Sequence, residues 1–229
     1  MVDLAAWVAT LALVFGIAYA LKLAGASTAL RIWLGEPLEM IALLVVTTQL
    51  LRRRGERWAD LGLRRPASAW RAAGLVVAGL IATYGANAVL VLVVFPALHI
   101  PRPDVGVMAL VDGAPTGYAT MLALTWTTVA FGEELQFRGF IFSRLETLFG
   151  RCRAGTFAAW LGQGLLFGGM HGYQGLGGML ATSTIGLVFG GVYLAGRRNM
   201  TACIVLHGMI DSFALTALFY AVTHGFHLS

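Results

Sequence analysis

Charged residues are scarce in this chain. They make up 12% of its 229 residues, whereas 58% are hydrophobic and the mean hydropathy is +0.77. Soluble domains carry about 25% charged residues, so this composition excludes an ordinary soluble protein and indicates an integral membrane protein. A membrane-crossing helix needs about 20 apolar residues. The length therefore allows about six to eight spans and leaves no room for a second soluble domain.

Cysteine is also scarce. Cys152 lies in a basic loop and Cys203 in an apolar run, which argues against a disulfide framework and against a thiolate metal cluster. The net charge of +5 does not predict a nucleic-acid partner. The basic residues lie between the apolar runs, where they indicate membrane topology instead.

Seven apolar runs are long enough to form buried helices. They cover about residues 5–22, 33–51, 69–95, 117–143, 155–171, 176–196 and 200–223. This pattern predicts an all-α polytopic membrane protein with about seven transmembrane helices and one integral membrane domain over residues 1–229. The active site is expected within the helix bundle.

The basic residues predict which loops share a side of the membrane. Twelve fall in loops on the same side of the membrane as the N-terminus. Three fall on the other side, namely Lys22, Arg31 and Arg102. By the positive-inside rule, the N-terminus is then cytoplasmic. The remaining basic residue, Arg138, lies inside an apolar run and belongs to no loop.

Ionisable side chains at the middle of a bilayer cost ~2.5–3.5 kcal/mol each on insertion scales, so they usually mark a functional site. The apolar runs contain six that stand out: Glu133, Glu134, Arg138, His171, His207 and Asp211. Because three helices contribute acidic or imidazole groups at membrane depth, we predict that these side chains converge on one site.

The spacing of these residues separates two roles. On an α-helix, Glu134 and Arg138 lie about 40° apart and can form an ion pair, whereas Glu133 points about 100° away from Glu134. Glu133 then stays free for chemistry. His207 and Asp211 are four residues apart, so the carboxylate can orient the imidazole. A purely structural bridge between helices is the other interpretation of Glu134 and Arg138.

This set of groups is compatible with two hydrolytic mechanisms. In the first, Glu133 activates water with help from His171, and His207 with Asp211 stabilises an oxyanion. In the second, Glu133, His171 and His207 bind zinc and leave a fourth position for water. The chain has no His-Glu-x-x-His motif, no Gly-x-Ser-x-Gly elbow and no evident aspartate pair, so zincin, serine and aspartyl mechanisms have no specific support.

Three motifs, in this order, resemble those of the CPBP family of intramembrane proteases, which includes CAAX prenyl protease 2, Abi and bacteriocin-processing proteins. Its Glu-Glu-x-x-x-Arg motif is matched by EELQFR at residues 133–138. Its Phe-x-x-x-His motif is matched by FGGMH at 167–171, and its final His-x-x-x-Asn/Asp motif by HGMID at 207–211. The resemblance covers about residues 117–215.

The resemblance implies peptide-bond hydrolysis within or beside the membrane. It also implies a role for each of the six residues: water activation by Glu133 and His171, an oxyanion site at His207 and Asp211, and positioning of the site by Glu134 and Arg138. No cofactor is expected, except zinc if the mechanism is metal-dependent. The implied location is a prokaryotic cytoplasmic (inner) membrane.

The chain departs from part of the family at the last motif. The prenyl-protein branch usually has Asn there, whereas this chain has Asp211. An amide can donate a hydrogen bond to an oxyanion, but a carboxylate can do so only when protonated. Asp211 is therefore expected either to be protonated or to orient His207. The departure favours the prokaryotic members, whose substrates are mostly not prenylated.

The heights of the site residues along their helices, counted from the flanking arginines, disagree. Glu133 lies ~16 Å from Arg144, but His171 lies ~27 Å from Arg153. One hypothesis that removes the conflict is an amphipathic or re-entrant segment at residues 144–155, with the fifth helix starting deeper in the membrane.

The sequence therefore predicts an intramembrane endopeptidase whose partners are the bilayer and a membrane-embedded or membrane-delivered peptide or protein. Two alternatives stay open. The first is a non-catalytic immunity or scaffolding protein of the same family that binds a partner through the polar cluster. The second is a proton-coupled transporter, since intramembrane Glu, His and Arg also form proton relays. The oligomeric state is left open.

Overall fold

The computed structural model of the protein describes residues 2–25, 35–104 and 114–225. Within these residues the chain forms seven helices and no strand. The helices are α1 (Val2–Leu23), α2 (Glu36–Arg53), α3 (Ala69–Leu98), α4 (115–149), α5 (Arg153–Met170), α6 (Gly175–Ala195) and α7 (Thr201–Thr223). By length and composition, α1, α3, α6 and α7 can each cross a membrane. The predicted all-α polytopic fold is confirmed, and Arg31 lies outside the described residues.

Local sequence signals set several helix ends. Ser68 caps α3, because its hydroxyl accepts a hydrogen bond from the backbone N–H of Arg71 at 3.2 Å. Pro115 occupies the first turn of α4, where its missing N–H removes no intrahelical bond. Gly150 follows α4 with a φ of 92°, which residues with a Cβ rarely adopt. The helix therefore ends at Phe149.

The middle of α4 is not α-helical. It contains two π-helical stretches, Thr125–Glu133 and Leu135–Ile141, which meet at Glu134. The predicted angles between Glu133, Glu134 and Arg138 assume α-helical geometry and therefore do not apply here. Hydrogen bonds of the i→i+5 type are rare in proteins and are frequent at functional sites.

Several loops meet at one end of the bundle, which we call the arginine-rich face. Nε of Arg54 and Nε of Arg144 lie 2.5 Å and 2.9 Å from the same Oδ2 of Asp3. Arg144 also pairs with Glu56. The N-terminus, the α2–α3 loop and the end of α4 thus share one face, as the count of basic residues predicts. The compartment that this face borders stays a prediction.

Glu146 ties α4 to two other elements at the arginine-rich face. Its Oε1 accepts hydrogen bonds from Arg198, after α6, at 2.7 Å and from Thr156, in the first turn of α5, at 2.6 Å. Burial by itself would raise the pKa of Glu146. The hydrogen bonds from Arg198 and Thr156 outweigh that effect and lower the pKa below its ordinary value of 4.5.

The end of α4 resolves the conflict between helix heights. Arg144 is buried, and α4 continues beyond it to Phe149. Glu133 precedes Phe149 by 16 positions and His171 follows Arg153 by 18, so the two residues lie at similar positions along their helices. Residues 144–155 form no re-entrant segment, because α4 is continuous to Phe149 and α5 begins at Arg153 after a short turn. The amphipathic alternative for this segment stays a prediction.

Glycines bring α5 and α6 close together. A Cβ on Gly186 would lie 3.0 Å from the Cα of Gly164, and one on Gly168 would lie 1.9 Å from Oγ of Ser183. Small residues permit such close approach of membrane helices, so these glycines serve helix packing. The close packing of these two helices lets both of them present aromatic rings to α4.

Candidate active site

Five of the six predicted site residues meet between two helices. Glu133, Glu134 and Arg138 come from α4, and His207 and Asp211 come from α7. No sequence spacing relates these helices, so their approach is a tertiary feature. The five side chains form a connected set of carboxylates, one guanidinium and one imidazole.

Glu134 and Arg138 form a fully buried ion pair, as their spacing predicts. Nη1 of Arg138 donates to Oε1 of Glu134 at 2.8 Å, and both side chains are 0% exposed. The Arg138 guanidinium carbon lies 4.6 Å and 4.9 Å from the ring centroids of Phe167 and Phe189. Its Nη2 donates to the carbonyl of Gly186 at 3.3 Å. Loss of Glu134 would leave the Arg138 charge uncompensated in an aromatic surrounding.

His207 connects this buried pair to two other carboxylates. Its Nδ1 lies 2.9 Å from Oε1 of Glu134. Its Nε2 lies 3.3 Å from Oδ2 of Asp211 and 3.9 Å from Oε2 of Glu133. The Asp211 contact follows from the predicted four-residue spacing. The Glu134 contact was not predicted, and it gives Glu134 a second function besides neutralising Arg138.

These contacts restrict the protons of His207. Glu134 is paired with Arg138 as a carboxylate, which can only accept, so Nδ1 of His207 is the donor to it. Nε2 then either donates to Asp211, in a charged imidazolium, or accepts from a protonated Asp211. In both cases one proton lies between Nε2 and Asp211, close to Glu133.

Access to solvent distinguishes the carboxylates. The side chains of Glu133 and Asp211 are 22% and 29% exposed, whereas Glu134 is completely buried. Oε2 of Glu133 is itself buried and has no hydrogen-bond partner among the described residues. Glu133 therefore combines a partly open side chain with an oxygen that can accept a proton.

His171 borders the site at the end of α5. Its Nδ1 lies 2.8 Å from the carbonyl oxygen of Phe167, and the two rings are 5.0 Å apart. The Phe167 ring also lies 6.1 Å from the ring of His207. Among the described residues, no carboxylate oxygen lies within 4.0 Å of a His171 nitrogen. The carbonyl fixes the proton on Nδ1, which leaves Nε2 as an acceptor.

The three residues of the zinc hypothesis are not gathered around one point. In the part of the chain that the structure describes, no three His, Cys, Asp or Glu side chains are arranged to hold a metal ion. Glu133 approaches His207, but Phe167 rather than a carboxylate is the contact of His171. The His₂Glu set thus does not fit tetrahedral zinc in this conformation, and zinc dependence stays a prediction.

A buried polar chain supports the site from α1 and α2, and sequence reasoning missed it. Nε1 of Trp7 donates to Oε1 of Gln136 at 2.9 Å, and Nε2 of Gln136 donates to Oγ1 of Thr47 at 3.2 Å. Gln136 lies between Glu134 and Arg138 in the chain. The available signal was a glutamine within an apolar run, but its partners are 129 and 89 positions away.

Fold and site together define a class: a polytopic helical membrane protein whose bundle encloses a carboxylate–imidazole site. Residues 115–213 match the family model described as Type II CAAX prenyl endopeptidase Rce1-like. The match is to the same protease family that the three motifs resemble, and it confirms the resemblance to CPBP proteins. The match covers α4 to the first half of α7 and leaves α1 to α3 outside. No curated protein and no solved structure matches the chain.

Proposed function

We propose that the protein is an intramembrane endopeptidase that hydrolyses a peptide bond in a membrane-embedded or membrane-delivered peptide or protein. One observation carries this proposal. Glu133 has an oxygen without a partner, 3.9 Å from an imidazole nitrogen of His207, and the other nitrogen of that imidazole is held by Glu134. The family match supports a protease in general, and this geometry supports activation of water by glutamate.

The first step is the attack of water. Glu133 takes a proton from the water molecule as the water oxygen bonds to the peptide carbonyl carbon. The C=O electron pair moves onto the carbonyl oxygen and forms a tetrahedral oxyanion. The oxyanion then reforms the carbonyl, the C–N bond breaks, and Glu133 passes its proton to the leaving amine. General acid–base catalysis of this kind contributes about 10²–10⁴-fold in rate.

His207 stabilises the developing negative charge. Its Nε2–H, in the imidazolium form, is the donor closest to Glu133, and an oriented donor is worth most where little water competes. Glu134 fixes the ring through Nδ1, and Arg138 in turn fixes Glu134. Glu134 and Arg138 are therefore positioning residues.

Asp211 acts through His207. Its Oδ2 lies 3.3 Å from Nε2, so it supports the charged imidazolium and holds the ring in plane before substrate enters. This role fits a carboxylate at a position where other family members have an amide. His171 has a neighbouring role, since its Nε2 can accept a hydrogen bond from the attacking water or from a substrate N–H.

The test compares membranes that contain the wild-type protein with membranes that contain Glu133→Gln. Both are analysed by mass spectrometry of protein N-termini. New termini are expected only with the wild type, with at least about a 10²-fold loss in the variant. Asp60→Asn is the matched control, because Asp60 lies on the exposed side of the α2–α3 loop. Equal termini in wild type and Glu133→Gln would contradict the proposal.

The two alternatives give different results. A partner-binding protein would keep its biological effect in Glu133→Gln, and neither form would produce new termini. A proton-coupled transporter would show substrate-dependent proton uptake into vesicles, again without new termini. Either result would overturn the protease assignment.

Metal dependence is tested separately. The purified protein is assayed after exhaustive chelation, with its metal content measured. Full activity without bound metal would exclude the zinc version, whereas activity that is lost and then restored by zinc would overturn activation of water by Glu133 without a metal.

We also propose that the arginine-rich face is cytoplasmic in a prokaryotic inner membrane. The support is the positive-inside rule. Cys152 is exposed and follows α4 at this face, whereas Cys203 is buried. A membrane-impermeant maleimide should therefore label Cys152 in inverted vesicles and not in intact cells. Labelling in intact cells would reverse the topology.

A further inference from the structure

An open apolar groove lies on the side of α3 and α6, and none of the site residues lines it. Its volume is about 420 Å³, and Trp160 of α5 forms part of its wall. The polar groups of its lining side chains are already satisfied. Thr184 donates to the carbonyl of Leu180 at 3.0 Å, and the Trp160 N–H donates to that of Leu187 at 2.8 Å. The groove therefore suits an apolar guest.

The length of the groove matches one leaflet of a bilayer. Along α6 its lining runs from Ala195 to Thr184, which is roughly 16 Å at the rise of an α-helix. The hydrocarbon core is ~30 Å thick, so one leaflet measures about half of that. Since Ala195 ends α6 near the arginine-rich face, the groove covers the leaflet on that side.

Two arginines near this end of the groove have no acidic partner in the part of the chain that the structure describes. Nη2 of Arg71 donates to the carbonyl of Ala195 at 2.8 Å, and Nη2 of Arg64 donates to that of Arg197 at 3.3 Å. Within the described residues, Arg64 and Arg71 form no ion pair with a carboxylate. A guanidinium has five N–H donors, so each keeps donors and charge for an anion. Trp70 beside them is 89% exposed, as aromatic residues at a membrane interface are.

We propose that this groove binds an anionic phospholipid, with one acyl chain along α3 and α6 and the phosphate at Arg71 and Arg64. The apolar lining, the length of one leaflet and the two arginines near its end all fit this ligand. A second copy of the chain would have to bring its own anionic group to the arginines, whereas a phospholipid supplies both parts. The site is separate from the proposed protease function and does not depend on it.

Two variants test the two parts of the site. A Cβ on Gly191 would have no atom within 4 Å, and Gly191 lines the groove, so Gly191→Leu is used to fill the groove. Gly85→Leu on α3 is its control, because that position is equally open and does not line the groove. Arg71→Gln removes the charge at the rim. Arg57→Gln is its control, because Arg57 is 81% exposed and already pairs with Asp60.

Detergent-purified protein is titrated with dioleoylphosphatidylglycerol and, separately, with dioleoylphosphatidylcholine, and bound lipid is counted by native mass spectrometry. The wild type and both controls should bind phosphatidylglycerol more tightly than phosphatidylcholine. Arg71→Gln should lower that preference about five-fold, and Gly191→Leu should weaken binding of both lipids. Unchanged phosphatidylglycerol binding in both variants would overturn the proposal. So would a wild-type dimer that Gly191→Leu converts to monomer without a change in bound lipid, because a second copy would then cover the groove.

Discussion

The two halves of the molecule, α1 to α3 and α4 to α7, differ in how deeply their apolar helices are buried. Through α1 and α3, 11% and 17% of the residues in the most apolar stretch are buried, compared with 44% and 39% through α6 and α7. The second half carries every charged group of the candidate site and contains the family match. α1 and α3 present most of their apolar surface outward, so they form a lipid-facing layer beside the helices that contain the candidate site.

Polar contacts as well as apolar packing join the layer to the core. In α1, Asp3 binds Arg144, and Trp7 binds Gln136. Lipid tails are as apolar as leucine, so burial of apolar surface does little to hold membrane helices together, and packing and hydrogen bonds decide where they associate. The comparison teaches that polar side chains of α1 reach α4, one of them at Gln136, which lies between Glu134 and Arg138 in the sequence.

The largest effect should come from the core. Replacing Arg138 with Met removes the guanidinium from the buried Glu134, which keeps only His207 as a partner, so the free energy of unfolding should fall by up to about 3–5 kcal/mol. The measurement is unfolding in mixed detergent micelles. Arg57→Gln should stay within about 0.5 kcal/mol of the wild type. Equal stability of Arg138→Met and Arg57→Gln would show that the buried ion pair does not stabilise the core.

A smaller but specific effect is expected where the first half reaches the core. Trp7→Phe keeps an aromatic ring and leaves Oε1 of Gln136 without its donor, which should cost about 1–3 kcal/mol. Because Gln136 lies between Glu134 and Arg138, kcat should fall more than KM rises. Trp70→Phe is the control, since Trp70 is 89% exposed. Full activity in Trp7→Phe would show that α1 is only a lipid-facing helix.

A weaker effect depends on pH at the arginine-rich face. The pKa of Glu146 is lowered in the fold by Arg198 and Thr156, so below the ordinary value of 4.5 the unfolded chain takes up this proton more readily than the folded one. Stability from Glu146 is complete above that value and is lost as the pH falls through the lowered pKa. The wild type should therefore lose more stability than Glu146→Gln between about pH 7 and pH 3. An equal loss of stability with falling pH in the wild type and in Glu146→Gln would contradict this prediction.

Much of this organisation could be predicted from the sequence, because it depends on local patterns. Seven apolar runs correspond to seven helices, and the four-residue spacings of Glu134 with Arg138 and of His207 with Asp211 correspond to real contacts. The order of the three motifs was enough to indicate the family. The roles of these residues in catalysis stay predictions.

The remaining features depend on contacts between distant residues. The π-helical stretches of α4 have no local signature. Arginine usually marks the end of a membrane helix, but Asp3 and Glu56 allow Arg144 to be buried before α4 ends. The bond between Glu134 and His207 spans 73 positions, and no spacing rule predicts it. His171 shows the converse. Its motif is intact, but among the described residues its Nδ1 contacts the carbonyl oxygen of Phe167 and no carboxylate of the site.

The smallest effect is expected on the outer surface of α1. Leu13 is 64% exposed to the surroundings of the bundle, which in a membrane are lipid tails. In Leu13→Ala, lipid tails fill the space of the removed side-chain atoms, so stability should change by less than about 0.5 kcal/mol. Leu206→Ala in α7, where the leucine is 0% exposed, leaves a cavity and should cost about 2–5 kcal/mol. The two variants remove the same atoms, and unfolding of both in the same micelles isolates the effect of position. A cost for Leu13→Ala as large as that for Leu206→Ala would mean that a protein surface, and not lipid, covers α1.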